Sequence, residues 1–134
     1  MAAGAKVLLI DDDEDFRASA RAPLEAHGYA VLEAASGDEG LKMLRQHRPD
    51  VVLVDIMMDS ASEGYGVAQA IRWQEAYQEF HSLPIIMVSS IQETPDERFA
   101  MAGEVDMIRP DIYLTKPLDI PRLLEVLKAV TAPS

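Results

Sequence analysis

The sequence predicts an α/β fold, a doubly wound five-stranded parallel sheet with helices on both faces. Three observations predict it. Short, unalternating apolar runs recur, too short for helices, and read as strands covered on both faces. Segments of helical periodicity, framed by start and stop signals, stand between them. Each connection between strands is long enough to hold a helix, so the strands run parallel and helices cover both faces.

The first strand is Lys6-Val7-Leu8-Leu9-Ile10, ending on the acidic run Asp11-Asp12-Asp13-Glu14-Asp15. That run can be a solvated loop with one residue capping the next helix, since Asp is favoured at N-caps and in first turns. It can also hold a cation, because carboxylates gathered at one strand end repel each other unless a positive charge lies among them. It is no calcium loop of the EF-hand kind, since Phe16 stands at the required glycine and Ala22 at the distal glutamate. Phe16 to His27 reads as a helix with Phe16, Ala20 and Leu24 on one face and Gly28 as its stop. Pro23 removes a backbone donor and crowds the preceding turn, which predicts a bend or broken turn near Ser19 to Pro23.

Tyr29 to Ala34 is the second strand. Ser36-Gly37-Asp38-Glu39 is a capping box opening a helix with Leu41 and Leu44 inward, which ends near Gln46 to Arg48 before Pro49. The central stretch follows: Val51-Val52-Leu53-Val54, apolar throughout, stops on Asp55. The carboxyl ends of parallel strands are where ligands and chemistry collect. A polar loop is expected over Asp59 to Glu63, then a helix from Val67 to about Phe80, with Trp73 and Tyr77 four apart and partly buried. The fourth strand, Pro84 to Val88, ends on Ser89-Ser90. Thr94-Pro95-Asp96-Glu97 combines an N-cap, a first-turn proline and a capping-box glutamate, so a helix starts there. Ile112 to Thr115 is the last strand and leads into Lys116-Pro117; Asp119 caps a final helix with Leu123, Leu124, Leu127 and Val130 inward.

Length and composition bound the function. With 134 residues, 49% hydrophobic and 26% charged, the chain suits one domain, 1–134, with an ordered core over about 5–131 and no output domain. No apolar run is long enough to cross a bilayer and no signal-peptide pattern opens the chain. The absence of cysteine excludes disulfides and thiolate metal sites and fits a cytoplasmic location. A formal net charge of -11 argues against direct nucleic-acid binding and favours a bound cation or a basic protein partner.

If the strands neighbour one another, Asp11, Asp12, Asp55, Ser89 and Lys116 converge in one crevice. Such a set suits phosphoryl transfer. Asp55 is a nucleophile toward phosphorus, Asp12 and Asp55 can hold magnesium, Lys116 brings a mobile ammonium and Ser89 a hydroxyl.

Over its whole length the sequence resembles the receiver domain of two-component response regulators. The matching pieces are Leu9-Ile10-Asp11-Asp12-Asp13, Val54-Asp55-Ile56-Met57-Met58, Val88-Ser89-Ser90, and Tyr113 with Lys116-Pro117. The resemblance implies the flavodoxin-like strand order 2-1-3-4-5. It implies that Asp55 is the phosphoacceptor, that Asp11, Asp12 and Asp55 with the backbone carbonyl of Met57 bind Mg2+, and that Lys116 contacts the phosphate across a cis Lys116–Pro117 bond. Ser89 and Tyr113 are then the switch pair. The implied function is a signalling switch, not an enzyme beyond its own phosphorylation and dephosphorylation. It takes phosphate from a sensor histidine kinase or phosphotransfer protein and passes a conformational change to a downstream protein or effector domain.

The departures from the family are Asp59 where proline is common, a longer loop before Gly64, and a longer stretch between Ser90 and Tyr113. A phosphatase of the dehalogenase type would need a second aspartate where this chain has Met57. The remaining alternative is a receiver-like interaction module that is never phosphorylated, against which Asp12, Asp55, Ser89 and Lys116 all speak.

Overall fold

The alternation of apolar runs and periodic segments folds as one twisted layer between two layers of helix. The computed structural model describes residues 5–55, 61–89, 112–115 and 118–131; at 61–65, 89, 112, 113 and 115 the description is of the backbone. Strands β1 (Lys6–Ile10), β2 (Ala30–Ala34), β3 (Val51–Asp55), β4 (Ile85–Ser89) and β5 (Ile112–Thr115) form a single sheet in the order β2-β1-β3-β4-β5. Every pairing is parallel. The strand order is the one the resemblance implies.

Successive residues of a strand point to opposite faces, so each apolar run feeds two cores. Leu8, Ile10, Val52, Val54, Ile85 and Met87 pack on one face with Leu44 of α2 (Gly37–His47) and Val67, Ala68 and Ile71 of α3 (Ala61–Trp73). Val7, Leu9, Val51, Leu53, Ile86 and Val88 pack on the other with Ala20 and Leu24 of α1 (Glu14–Ala26) and Leu123, Val126 and Leu127 of α4 (Ile120–Thr131). That is why the strands show no alternation.

The helix signals act largely as expected. Asp13 caps α1, its side chain accepting from the backbone N–H groups of Asp15 and Phe16, so the helix starts two residues before Phe16. It ends in a reversal in which Tyr29 N–H reaches Leu24 O at 3.1 Å, and Gly28 takes the required positive φ of 91°. Ser36 accepts from Glu39 N–H at 3.2 Å, while the Glu39 carboxylate accepts from Ala35 N–H at 2.8 Å. Asp119 accepts from Arg122 N–H at 3.2 Å at the start of α4.

Three expectations are corrected. Helix α1 runs from Glu14 to Ala26 through Pro23 with no broken turn. A proline removes only its own N–H from the ladder, and Ala20 and Leu24, buried on either side of it, keep the helix seated. Helix α3 starts at Ala61 and runs through Gly64 and Gly66, where a loop was expected. Glycine in a helix costs about 1 kcal/mol against alanine, which the burial of Val67, Ala68, Ala70 and Ile71 outweighs. The helix then stops at Gln74, whose ψ of 135° is extended, and a 3-10 helix (Glu75–Phe80) follows. Trp73 is 50% exposed, whereas Tyr77, beyond the break, is half-buried against the core. The helix expected from Thr94 lies outside the described residues.

Polar braces join the layers. On β2, Glu33 accepts from Arg17 Nε at 2.9 Å and from Arg21 Nη1 at 2.5 Å. The guanidiniums hold the Glu33 carboxyl below its ordinary range, the hydrogen bond from Arg21 being the largest influence and burial opposing it. On the opposite face α2 approaches β1 closely at Gly40, where a Cβ would clash with Ile10 Cδ1 and lie 2.8 Å from Ile10 Cγ1.

Two measurements check these contacts. Gly40→Ala should destabilise the fold by up to about 2 kcal/mol in urea unfolding, because overpacking the buried Ile10 costs about 1–3 kcal/mol and alanine returns about 1 in helix propensity. A gain in stability of about 1 kcal/mol would show that the helix moves aside without cost. The second concerns pH. A lowered folded-state pKa gives Glu33 a stabilising contribution that is complete above the ordinary value of 4.5 and lost as pH falls through the folded value. Glu33→Gln should therefore unfold with a flatter dependence on pH below about 4.5 than the parent, read as urea midpoint against pH. A dependence as steep as the parent's would contradict the assignment.

Candidate functional site

Strands β1 and β3 are neighbours, and their register pairs Ile10 with Val54. The next residue on each is an aspartate, so Asp11 and Asp55 leave the sheet side by side. Both are buried, at 1% and 4% exposure, while Asp12 is exposed. One carboxylate oxygen from each of Asp11, Asp12 and Asp55 lies within 4.8 Å of the others. The sheet order therefore assembles the acidic cluster that the strand ends predict.

The acidic run after β1 divides its work. Asp11 Oδ1 accepts from Asp13 N–H at 2.8 Å, and Asp11 N–H donates to Ala34 O at 3.0 Å, which ties the loop to β2. Asp13 caps α1, and Glu14 and Asp15 lie in the first helical turn, where negative charge suits the helix N-terminus. Asp13 is the cap, and Asp11 and Asp12 join Asp55 in the cluster.

A set of three carboxylates matches the oxygen preference of a hard divalent cation, and the spacing is close to that of ligands around one small ion. Without a cation these like charges repel at short range, two of them where water screens poorly. The donor chemistry thus fits magnesium or a similar ion. Thiolate ligands are excluded, as the chain has no cysteine.

Among the other expected site residues, Ser89 closes β4, one position beyond Val88, the partner of Asp55. Its backbone stands at the same end of the sheet as the carboxylates. Tyr113 lies in β5 opposite Met87. The roles expected of the Ser89 and Tyr113 side chains, of Lys116 and its bond to Pro117, and of the Met57 carbonyl lie outside what the structure describes. Two residues beside the site escape sequence reading, Arg17 and Glu33. Arg17 Nη1 donates to the backbone carbonyl of Asp11 at 2.6 Å. The available signals were a charged residue inside the otherwise apolar β2 and arginines four apart on α1.

Comparison with known proteins points the same way. The family model described as the response regulator receiver domain matches residues 7–128. The polar-differentiation response regulator DivK of Brucella ovis is 30% identical over 126 residues, covering 92% of this chain and 93% of its own. The chemotaxis response regulator CheY4 of Vibrio cholerae superposes with a TM-score of 0.77 at 31% identity, over 95% of this chain and 98% of its own. A CheY-like receiver domain protein from Methanospirillum hungatei gives 0.76 at 26% identity, over 95% and 93%.

Proposed function

The chain belongs to the response regulator receiver domain family, and we propose that it is a signalling switch set by phosphorylation of Asp55. The single observation that carries this reading is the convergence of Asp11, Asp12 and Asp55 within 4.8 Å at the ends of adjacent parallel strands. A two-component phosphoacceptor role follows from the family; the residues, the metal and the partners are our assignment.

In this reading Asp11, Asp12, Asp55 and the backbone carbonyl of Met57 hold magnesium. When bound, the ion supplies the positive charge that lets an anionic phosphoryl group approach an anionic acceptor. A carboxylate oxygen of Asp55 attacks the phosphorus of a phosphohistidine on a histidine kinase or phosphotransfer protein. The new O–P bond forms as the N–P bond breaks, and the imidazole leaves with the bonding pair and takes up a proton. The Lys116 ammonium offsets charge on the transferred group, and the Ser89 hydroxyl donates a hydrogen bond to it. Ser89 moves inward, Tyr113 takes the vacated space, and the altered face meets a downstream protein or effector domain. Hydrolysis, in which water attacks phosphorus and releases inorganic phosphate, resets the carboxylate. We place this cycle in the cytoplasm.

With acetyl phosphate and magnesium the chain should gain a single phosphoryl adduct by mass spectrometry, absent in Asp55→Asn and suppressed by chelator. An undiminished adduct in Asp55→Asn would sink the assignment, and a parent that never gains one would favour an interaction module that is not phosphorylated. Ser89→Ala should accept phosphate yet lose most of the phosphorylation-dependent change in amide exchange along β5 and α4; a response equal to the parent's would refute the role of Ser89. Lifetime is a third readout. Met57 and Ile91, two residues beyond Asp55 and Ser89, are apolar and cannot orient an attacking water. The double variant Met57→Asn with Ile91→Glu should shed its phosphate faster once donor is removed, and unchanged or slower decay would show that these side chains do not gate the water.

A further inference from the structure

Arg17 lies on α1, one turn beyond the Asp13 cap, and its side chain is 14% exposed. Its guanidinium spans two acceptors, one on β2 and one in the loop that follows β1. Nε donates to Glu33 Oε1 on β2 at 2.9 Å, and Nη1 donates to the backbone carbonyl of Asp11 at 2.6 Å. The planar fork of arginine suits such a double engagement, and charge-assisted bonds of this length are the stronger kind. Glu33 is itself fixed, since its second oxygen accepts from Arg21, which also bonds Glu25 at 3.1 Å. Arg17 is thus held from behind by β2 and bears on the loop in front of it.

The carbonyl it grips belongs to the peptide joining Asp11 to Asp12. A peptide unit is planar, so fixing its oxygen fixes its plane and the direction in which Asp12 leaves it. The N–H and carboxylate of Asp11 are anchored too, by Ala34 O at 3.0 Å and Asp13 N–H at 2.8 Å. Asp12 is exposed, and the two buried carboxylates nearby repel it. Rotation of the Asp11–Asp12 peptide would carry the Asp12 carboxylate away from the cluster whatever the rotamer of its side chain. The bond from Arg17 opposes that rotation.

We propose that Arg17, backed by Glu33, is a positioning residue for the metal site, holding the Asp11–Asp12 peptide in the orientation that aims Asp12 at the cation. This rests on the reading of Asp11, Asp12 and Asp55 as a magnesium site. It carries an unusual sign. A guanidinium near a divalent cation disfavours it by charge alone, so deleting Arg17 should tighten metal binding if charge dominates and weaken it if positioning dominates.

The test is a titration of the full chain with magnesium chloride, followed by the amide chemical shifts of Asp12 and Asp13, with thermal melting recorded without metal. Arg17→Met keeps the stem and removes every donor; it should weaken magnesium binding on the order of tenfold, the usual scale for groups behind metal ligands. Arg17→Lys keeps the charge but cannot fork, and should weaken binding by less. Arg21→Met removes an equal charge and loosens Glu33 but leaves the bond from Arg17 to the Asp11 carbonyl in place, and should weaken binding by less than Arg17→Met; a loss as large as that of Arg17→Met overturns the role given to the Asp11 bond. Parental or tighter affinity in Arg17→Met overturns the proposal, as does a lowered melting point with unchanged affinity, the mark of a merely structural brace. Should Arg17→Met fail to fold, Arg17→Lys decides alone, because its charge is unaltered and parental affinity there means the fork is not needed. A parent that binds no magnesium, or an Asp12→Asn variant that binds it undiminished, overturns the metal reading itself and is distinguishable from failure at Arg17.

Discussion

Two like charges held side by side at the end of an apolar sheet constrain the rest of this molecule. Asp11 and Asp55 follow paired residues of adjacent strands and are almost wholly buried, and Asp12 adds a third carboxylate at their edge. Moving one carboxylate out of water costs several kcal/mol even after relaxation, and a like-charged neighbour adds to it. A sequence optimised for stability alone would place neither residue there. The apolar bodies of β1 and β3 must therefore supply more than their own ordering requires, and both strands are buried almost throughout.

The end of β1 is clamped from both faces as a consequence. On one face Gly40 lets α2 pack directly over Ile10, the buried residue before Asp11, leaving no space there for a Cβ. On the other, Arg17 of α1 grips the Asp11 carbonyl while resting on Glu33 of β2. One clamp is steric and apolar, the other polar and directional. They fix different things: the first sets where the strand end lies, the second how the peptide after it is turned.

How far this was legible in the sequence depends on the range of the forces involved. Continuous apolar runs ending in Asp11, Asp55 and Ser89 report burial on both faces, a property each strand carries alone, so strands and site carboxylates can be read directly. Caps are equally local: Asp13, Ser36 and Asp119 satisfy N–H groups two or three residues away. Glycines at 64 and 66 say loop by propensity, yet α3 runs through them because the face from Val67 to Ile71 is buried on a sheet assembled from distant residues. Pro23 says break, and the packing of Ala20 and Leu24 overrides it. The pairing of Arg17 with Glu33 joins residues 16 apart in the chain, and no periodicity encodes it.

The ion pairs rank by exposure rather than by number. Arg48–Glu79, at 63% and 52% exposure, and Arg122–Glu125, at 56% and 75%, are surface pairs in a screening solvent, and each contributes about 0–1 kcal/mol. Arg21–Glu25 is nearly as open. Arg17–Glu33 differs, at 14% and 24%, because α1 and β2 close over it and exclude most of the water. Screening weakens with burial, so the same Coulombic attraction is larger there, and a second bond to Asp11 fixes the guanidinium without further loss of rotamer freedom. In a chain of net charge -11, a shielded cation beside the most crowded carboxylates counters the local repulsion in a way the surface arginines cannot. It also stands behind the Asp11–Asp12 peptide, bonded there to the backbone oxygen of Asp11, and so steadies the loop that carries two of the three clustered carboxylates.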